Sequence, residues 1–367
     1  RAALDAQVAD MASRGLRVLG VAEARWRGHV LPESQTGFAH RFIGLVGLSD
    51  PIREAVPAAV HDLARAGVRV VMITGDYPAT ARAIADRAGI AAGEVLSGAE
   101  LDALDDAALA ARVGGVAVFA RVLPEQKLRI VRALQAAGEI VAMTGDGVND
   151  APSLKAADIG VAMGRRGTDV AREASAIVLL DDDFAAIPAA MRLGRRIYDN
   201  LRKAMSFIFA VHVPIGGLAL APLLTGWPLI LGPVQIALLE MVIDPVCSLA
   251  FEAEPEEPDV MRRPPRDPQG ALFPRHLILW SLGQGALALA LLVALAAWVQ
   301  GQPAEQARAT VFAGLVASVI VLVAANRSLA VGGGWRGLRR NLPLMAIMGV
   351  VLGFFALLFG VPAFAGL

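Results

Sequence analysis

Met143-Thr144-Gly145-Asp146-Gly147-Val148-Asn149-Asp150-Ala151-Pro152, running on to Met163-Gly164, carries more chemistry than any other stretch of the chain. The apolar residues Ile140 to Met143 read as a strand, which opens into a loop holding Asp146, Asn149 and Asp150 between glycines. Hard carboxylate oxygens at a flexible strand end are what a phosphate-bound Mg²⁺ requires. The chemistry this suggests is phosphoryl transfer. Thr-Gly-Asp-Gly alone would also suit an ordinary strand-to-helix turn, but such a turn has no need of the second acidic residue four positions on.

Working outward, the order from Phe42 is strand (Ile43 to Leu48), helix (Ile52 to Ala66), strand (Val68 to Ile73), helix (Ala79 to Ala88), strand (Val116 to Phe119), helix (Pro124 to Ala137) and strand (Glu139 to Met143). Such alternation predicts a parallel sheet with helices on both faces and its site at the carboxyl ends of the strands. Three strand ends carry polar groups: Thr74-Gly75-Asp76, then Arg121 followed by Lys127, then Asp146. Thr74 can donate its hydroxyl to a phosphoryl oxygen, and Lys127 at a helix start can neutralise charge on a transferred group. Each residue alone has a plainer reading, a common turn or a solvated helix lysine; their shared placement at strand ends favours the site.

The whole 143–164 run closely resembles the hinge motif of the P-type ATPases, ion pumps that pass through an aspartyl-phosphate intermediate. The resemblance implies an α/β haloacid-dehalogenase-like (Rossmann-like) phosphorylation domain followed by an all-α transmembrane helix bundle, using ATP and Mg²⁺. It makes Thr74-Gly75-Asp76 the phosphate-contacting loop and Lys127 the charge-neutralising lysine. Asp146, Asn149 and Asp150 become the loop that organises phosphate and Mg²⁺, with Asp146 and Asp150 as the metal ligands. Arg17, in Leu16 to Ala22, matches an arginine that approaches the nucleotide phosphates, and Arg121 is a second candidate nucleotide contact; a snorkelling strand-edge side chain is the plainer reading of Arg17. Asp50-Pro51-Ile52-Arg53 resembles the hinge that joins the nucleotide-binding and phosphorylation domains. No Asp-Lys-Thr-Gly-Thr run, the family's nucleophile motif, occurs in the chain. The expected organisation is a nucleotide-binding remnant over 1–41, a phosphorylation domain over 42–199 and a membrane domain over 200–367, with the nucleophile and the first helices in a missing N-terminal part.

Composition agrees with a mixed architecture. Of 367 residues, 56% are hydrophobic, too many for an ordinary soluble domain, yet 34 Lys+Arg and 34 Asp+Glu are too many for a purely membrane one. The net charge of zero gives no argument for nucleic acid, and the lone Cys247 excludes an intramolecular disulfide and a multi-cysteine metal site. Arg1-Ala-Ala-Leu-Asp reads as neither an initiator methionine nor a signal peptide, since no basic stretch precedes an apolar one. Asp102, Asp105 and Asp106 read as the solvated face of a helix between Ser97 and Val113, and Asp181-Asp182-Asp183 read as solvated too.

After Asn200-Leu201-Arg202-Lys203 come five apolar stretches near the roughly 20 residues that span a bilayer: Ala204 to Leu224, Leu229 to Phe251, Leu277 to Val299, Thr310 to Leu329 and Leu342 to Phe364. Basic residues at their borders, including Arg262, Arg263, Arg266, Arg336, Arg339 and Arg340, place those ends and the phosphorylation domain in the cytoplasm. The lipid bilayer, of bacterial plasma-membrane type, is thus an expected partner. The resemblance makes these spans the fifth to ninth of a ten-helix pump.

Glu240 and Asp244 lie one turn apart within the second span, and ionisable groups there mark an ion path. Pro245 frees a backbone carbonyl of the preceding turn as a further ligand. His212, before Pro214, either faces the same site or is a packed neutral histidine. Asn326 faces either the bundle or the interface. Calcium-type members with two sites use more side chains than this chain offers, where Val321 stands near one such position. A single hard-cation site completed by the missing fourth helix is the expectation, with Ca²⁺ as the transported cation. Alternatives are a pump for Mn²⁺, Mg²⁺ or a monovalent ion, a catalytically incomplete membrane module, and a soluble phosphatase, which the five spans oppose. The chain alone is expected to be inactive.

Overall fold

The structure is a computed structural model and describes residues 2–26, 30–328 and 341–360. The side chains of residues 234, 242, 247, 248 and 354–360 lie outside the description, as do Arg336, Arg339 and Arg340 and the expected span ends at Leu329 and Phe364. Chain packing separates two units, one of residues 1–190 with 261–264 and the other of 191–260 with 265–367.

In the first unit, α1 (Ala2–Ser13) precedes an antiparallel pair, β1 (Arg17–Ala24) and β2 (His40–Leu48), joined in the register Arg17 to Leu48 and Ala24 to His40. The reading of residues 43–48 as part of the parallel sheet is therefore corrected. The nearest strand-forming segment lies just upstream, and a return within one connection produces an antiparallel partner, whereas a parallel one needs a crossover.

The α/β core follows: α2 (Ala55–Arg65), β3 (Met72–Ile73), α3 (Pro78–Ala88), β4 (Glu94–Ser97), α4 (Gly98–Asp102), α5 (Asp106–Arg112), β5 (Val116–Ala120), α6 (Pro124–Ala136), β6 (Ala142–Gly145), α7 (Ala151–Ala156), β7 (Ile159–Met163), α8 (Asp169–Glu173) and β8 (Ile177–Leu179). Every residue of β5 is buried, which is why Val-Ala-Val-Phe-Ala shows no polar alternation. Local signals set the helix ends. Pro78 and Pro124 begin α3 and α6, and Gly89, at φ 78°, closes α3 in the left-handed region. The Ser97 hydroxyl and Glu100 cap α4, and the Asp105 carboxylate accepts from Ala108 N at 2.7 Å to start α5. The acidic 97–113 segment is thus two short helices, with Asp105 and Asp106 exposed as expected.

The strands form two parallel blocks, β3-β5-β4 and β6-β7-β8. One apolar core serves both: Leu96, Val116 and Phe119 cluster with Val141, Met143 and Ala162, and Ile73 packs against them. Strand β3 is shorter than the expected Val68 to Ile73, and β4, β7 and β8 were not anticipated, because runs such as Ile177–Leu179 are too short for periodicity to register.

The second unit holds most of α9 (Ala186–Thr225), which continues through the first expected span as one helix, ended by Gly226 at φ 73°. There follow α10 (Pro233–Pro245), a wider π-type turn (Val246–Ala250), α11 (Arg275–Trp298), α12 (Ala304–Asn326) and α13 (Leu342–Gly360). Among the described residues, three helices are long and apolar enough to cross a membrane, Ala186–Thr225, Arg275–Gly301 and Ala304–Asn326. The expected second span falls short of this mark because prolines at 228, 233 and 245 confine the regular helix to 13 residues. Small groups bring α9 and α11 together: Ser206 Oγ and Ser281 Oγ lie 2.5 Å apart, both buried, and Gly285 backs directly onto Ala210. Asn326 faces the bundle, donating to Gln284 Oε1 at 2.8 Å.

A candidate phosphoryl-transfer site and a candidate ion path

Strand β6 carries its loop to the end of the second block. Val141 N donates at 2.8 Å to Asp158 Oδ2, anchoring the strand's entry and holding the Asp158 carboxyl below its usual range. At the exit, Asp150 is buried and its carboxylate is spoken for on both oxygens: Lys127 Nζ lies 2.6 Å from Oδ1, and Gly147 N donates to Oδ2 at 3.2 Å. Gly145 must be glycine for this to close, since a Cβ there would stand 2.7 Å from Asp150 Cβ. Asp146 and Asn149 are exposed, and Thr168 N donates to the Asp146 carbonyl at 2.9 Å. Among the described residues the Asp146 carboxylate has no hydrogen-bond or ion-pair partner.

Lys127 sits in the first turn of α6. That turn is held by buried Gln126, whose Oε1 accepts from Leu123 N at 2.8 Å and whose Nε2 donates to Gly98 O at 3.0 Å.

The Thr74-Gly75-Asp76 loop is folded on itself. Thr74 Oγ1 accepts from Asp76 N at 3.1 Å and donates to Asp76 Oδ2 at 3.0 Å, so any other acceptor must displace Asp76 to receive that proton. Arg121 N donates to Asp76 O at 3.0 Å and Val122 N to Thr74 O at 3.1 Å. These two bonds join the end of β5 to the Thr74 loop and explain why Arg121 takes φ 52°, a conformation non-glycine residues rarely adopt. The Arg121 guanidinium lies 5.6 Å from the centre of the Tyr77 ring, a contact not anticipated from the sequence. Arg17 stands exposed at the start of β1, opposite Leu48.

Asp182 departs from the solvated reading. It is buried at φ 55°, and its carboxylate accepts from Arg165 N at 2.9 Å and Arg166 N at 3.0 Å. Burial alone would raise its pKa, but these N–H groups outweigh that and hold it low. The Asp182 carbonyl accepts from the Arg53 guanidinium, which ties residues 50–53 to the 181–183 turn.

In the second unit Glu240, Asp244 and His212 are all exposed, while Leu239 and Ile243 beside them on α10 are buried. His212 Nδ1 lies 2.9 Å from the Ile208 carbonyl of its own helix. Among the described residues no three His, Cys, Asp or Glu side chains converge, so neither Asp146 with Asp150 nor Glu240 with Asp244 and His212 forms a complete metal-binding group.

Residues 228–367 match the C-terminal family of cation-transporting ATPases, and residues 3–158 match haloacid dehalogenase-like hydrolases. The chain belongs to the cation-transporting ATPase family. It is 45% identical over 302 residues to a probable cation-transporting ATPase F of Mycobacterium tuberculosis, covering 79% of this chain and 32% of that protein. It is 45% identical over 266 residues to calcium-transporting ATPase 1 of Bacillus cereus, covering 72% and 30%. A mammalian relative, calcium-transporting ATPase type 2C member 1 of Bos taurus, is 41% identical over 273 residues, covering 74% and 28%. The chain therefore spans about a third of the length of the cation-transporting ATPases it matches.

Proposed function

We propose that the chain is the phosphorylation and membrane portion of an ATP-driven pump for Ca²⁺, acting through an aspartyl phosphate whose aspartate lies in a part of the protein outside these 367 residues. The observation that carries this reading is the divided sheet. Strands β3 and β6, each at the edge of its block, end in Thr74 and Asp146 around a shared core, and one further parallel strand between them would deliver a carboxylate to the same end.

In this reading the carboxylate attacks the terminal phosphorus of ATP, a phosphorus–oxygen bond forms, and the bond to the leaving ADP oxygen breaks. The Lys127 ammonium neutralises charge on the equatorial oxygens, and Thr74 Oγ1 turns its proton from Asp76 to one of them. Asp146, with its carboxylate open, fits Mg²⁺ as a direct ligand. Asp150, engaged by Lys127 and Gly147, keeps lone pairs for the ion while chiefly setting the lysine. Bound there, Mg²⁺ supplies charge neutralisation for the transferred group. Arg121 and Arg17 are the candidate ATP contacts, and water attack on the aspartyl phosphate then completes hydrolysis.

Glu240 and Asp244 carry the cation. Their exposure, beside buried Leu239 and Ile243 on α10, suits a site completed by helices outside the chain. Relatives named only as cation-transporting keep a second reading open, a pump for another cation at the same carboxylates. The phosphorylation unit faces the cytoplasm of a bacterial-type plasma membrane, and the isolated chain forms no phosphoenzyme.

The test is labelled-ATP phosphorylation of the full-length protein against Ca²⁺, Mn²⁺ and Mg²⁺ concentration. Asp146→Asn abolishes the phosphoenzyme under every condition. Asp244→Asn removes its dependence on the transported cation but leaves phosphorylation by inorganic phosphate. Normal turnover of Asp146→Asn at saturating Mg²⁺ would overturn the assignment.

A further inference from the structure

Away from both candidate sites, the second unit buries a cluster of charges around one short segment. Glu254 is 5% exposed and Arg327 2%. They meet side-on, with Arg327 Nη2 2.8 Å from Oε1 and Nε 3.1 Å from Oε2. Fully buried Asn341 divides its amide hydrogens between Glu254 Oε2 at 2.6 Å and the Ala250 carbonyl at 2.7 Å. Asn341 Oδ1 in turn accepts from Leu344 N at 3.0 Å in the first turn of α13. The Glu254 carbonyl is held as well, by Asn200 Nδ2 at 2.8 Å and Arg196 Nε at 3.0 Å, both from α9. Farther along, Lys203, 1% exposed, places Nζ 2.6 Å from Glu257 Oε1.

Residues 250–257 are thus grasped by α9, by the residue after α12 and by the residue before α13. A hydrophobic staple would join these elements with no desolvation cost, so burying full charges points to a geometric requirement. The segment grasped is the direct continuation of α10: Asp244 and Pro245 pass into the π-type turn, and Ala250, its last residue, is what Asn341 holds. The prolyl nitrogen has no hydrogen to donate, and π-type turns pack the backbone differently from the regular helix, so the ladder alone sets the pitch of α10 poorly.

We propose that Arg327 and Asn341, acting through Glu254, are positioning residues for the cation site: they fix the exit of α10 and thereby the direction in which Glu240 and Asp244 present their carboxylates. This rests on reading those two carboxylates as the transport site. Side chains that never touch the cation then set its affinity.

The experiment uses the full-length protein in membranes. Phosphorylation by labelled inorganic phosphate without Ca²⁺ counts folded molecules, and phosphorylation by ATP against Ca²⁺ concentration reads affinity per folded molecule. Arg327→Ala keeps the first signal and raises the Ca²⁺ concentration for half-maximal phosphorylation roughly tenfold. Arg327→Lys, which keeps the charge but not the side-on fork, gives a shift between the parent and Arg327→Ala. Glu254→Gln preserves shape and a partner for Asn341, and it shifts Ca²⁺ dependence in the same direction even where Arg327→Ala fails to accumulate. Unchanged Ca²⁺ dependence in Arg327→Ala or Glu254→Gln, at normal inorganic-phosphate signal, overturns the proposal and leaves the cluster a staple. Asp244→Asn separates the two claims. If that variant also leaves Ca²⁺ dependence unchanged, the transport-site reading itself fails; if it abolishes the dependence while the others do not shift it, only the positioning claim falls.

Discussion

Lys127 Nζ lies 2.6 Å from Asp150 Oδ1, the two residues 23 apart in sequence and each at the start of a different helix. The pair joins the two sheet blocks at their carboxyl ends, because α6 follows β5 and Asp150 closes the loop after β6. Lys127→Ala is expected to do double damage. It removes the cation proposed for phosphoryl transfer and leaves a buried carboxylate with one partner fewer, at a stability cost of about 1–3 kcal/mol. Labelled-ATP phosphorylation should fall to background, while thermal unfolding of the variant should show only the smaller loss.

Gly145→Ala tests the packing behind that pair. Its new Cβ would stand 2.7 Å from Asp150 Cβ and 2.9 Å from Cγ, so the aspartate has to retreat from Lys127. Overpacking of this kind costs about 1–3 kcal/mol. Phosphoenzyme formation should drop with no charged group altered; a variant with normal phosphorylation would show that Asp150 can shift without consequence.

Helix packing in the second unit gives a matched pair of variants. At Gly285 a Cβ would lie 2.3 Å from the Ala210 carbonyl and 2.8 Å from Val213 Cβ, whereas at Gly283 nothing lies within 4 Å. Gly285→Ala should force α9 and α11 apart and lower the melting temperature in detergent, at about 1–3 kcal/mol. Gly283→Ala should be neutral or slightly stabilising, as alanine is the better helix former. Equal melting temperatures for the two would refute the close approach.

Asp158 predicts a pH dependence. The Val141 N–H first, against the opposing effect of burial and with Gln135 adding to it, lowers its folded-state pKa below the ordinary 3.8. Between the folded and unfolded values the unfolded chain binds more protons, so this contribution to stability is complete above 3.8 and fades as pH falls through the lower folded value. The stability gap between the parent and Asp158→Asn should be wider at pH 7 than at the acid end. A gap that widens on acidification would reverse the assigned direction.

Much of this was legible in the chain itself. Residue type and spacing single out Asp146, Asn149 and Asp150 as candidates, and placement after apolar strands singles out Thr74, Arg121 and Lys127, because local backbone preference and covalent order suffice to put them in the loops and the helix start that follow those strands. Tertiary structure alone decided which groups meet. Asp182 looks like its neighbours 181 and 183 in sequence, yet it is buried because its left-handed backbone turns the carboxylate onto two N–H groups from residues 165 and 166. Arg327, Asn341 and Glu254 come from segments far apart in the chain, and no periodicity links them. Periodicity records how a segment relates to its own face. Pairing across the fold depends on the path of the chain between segments, and that path exists only once the helices have packed.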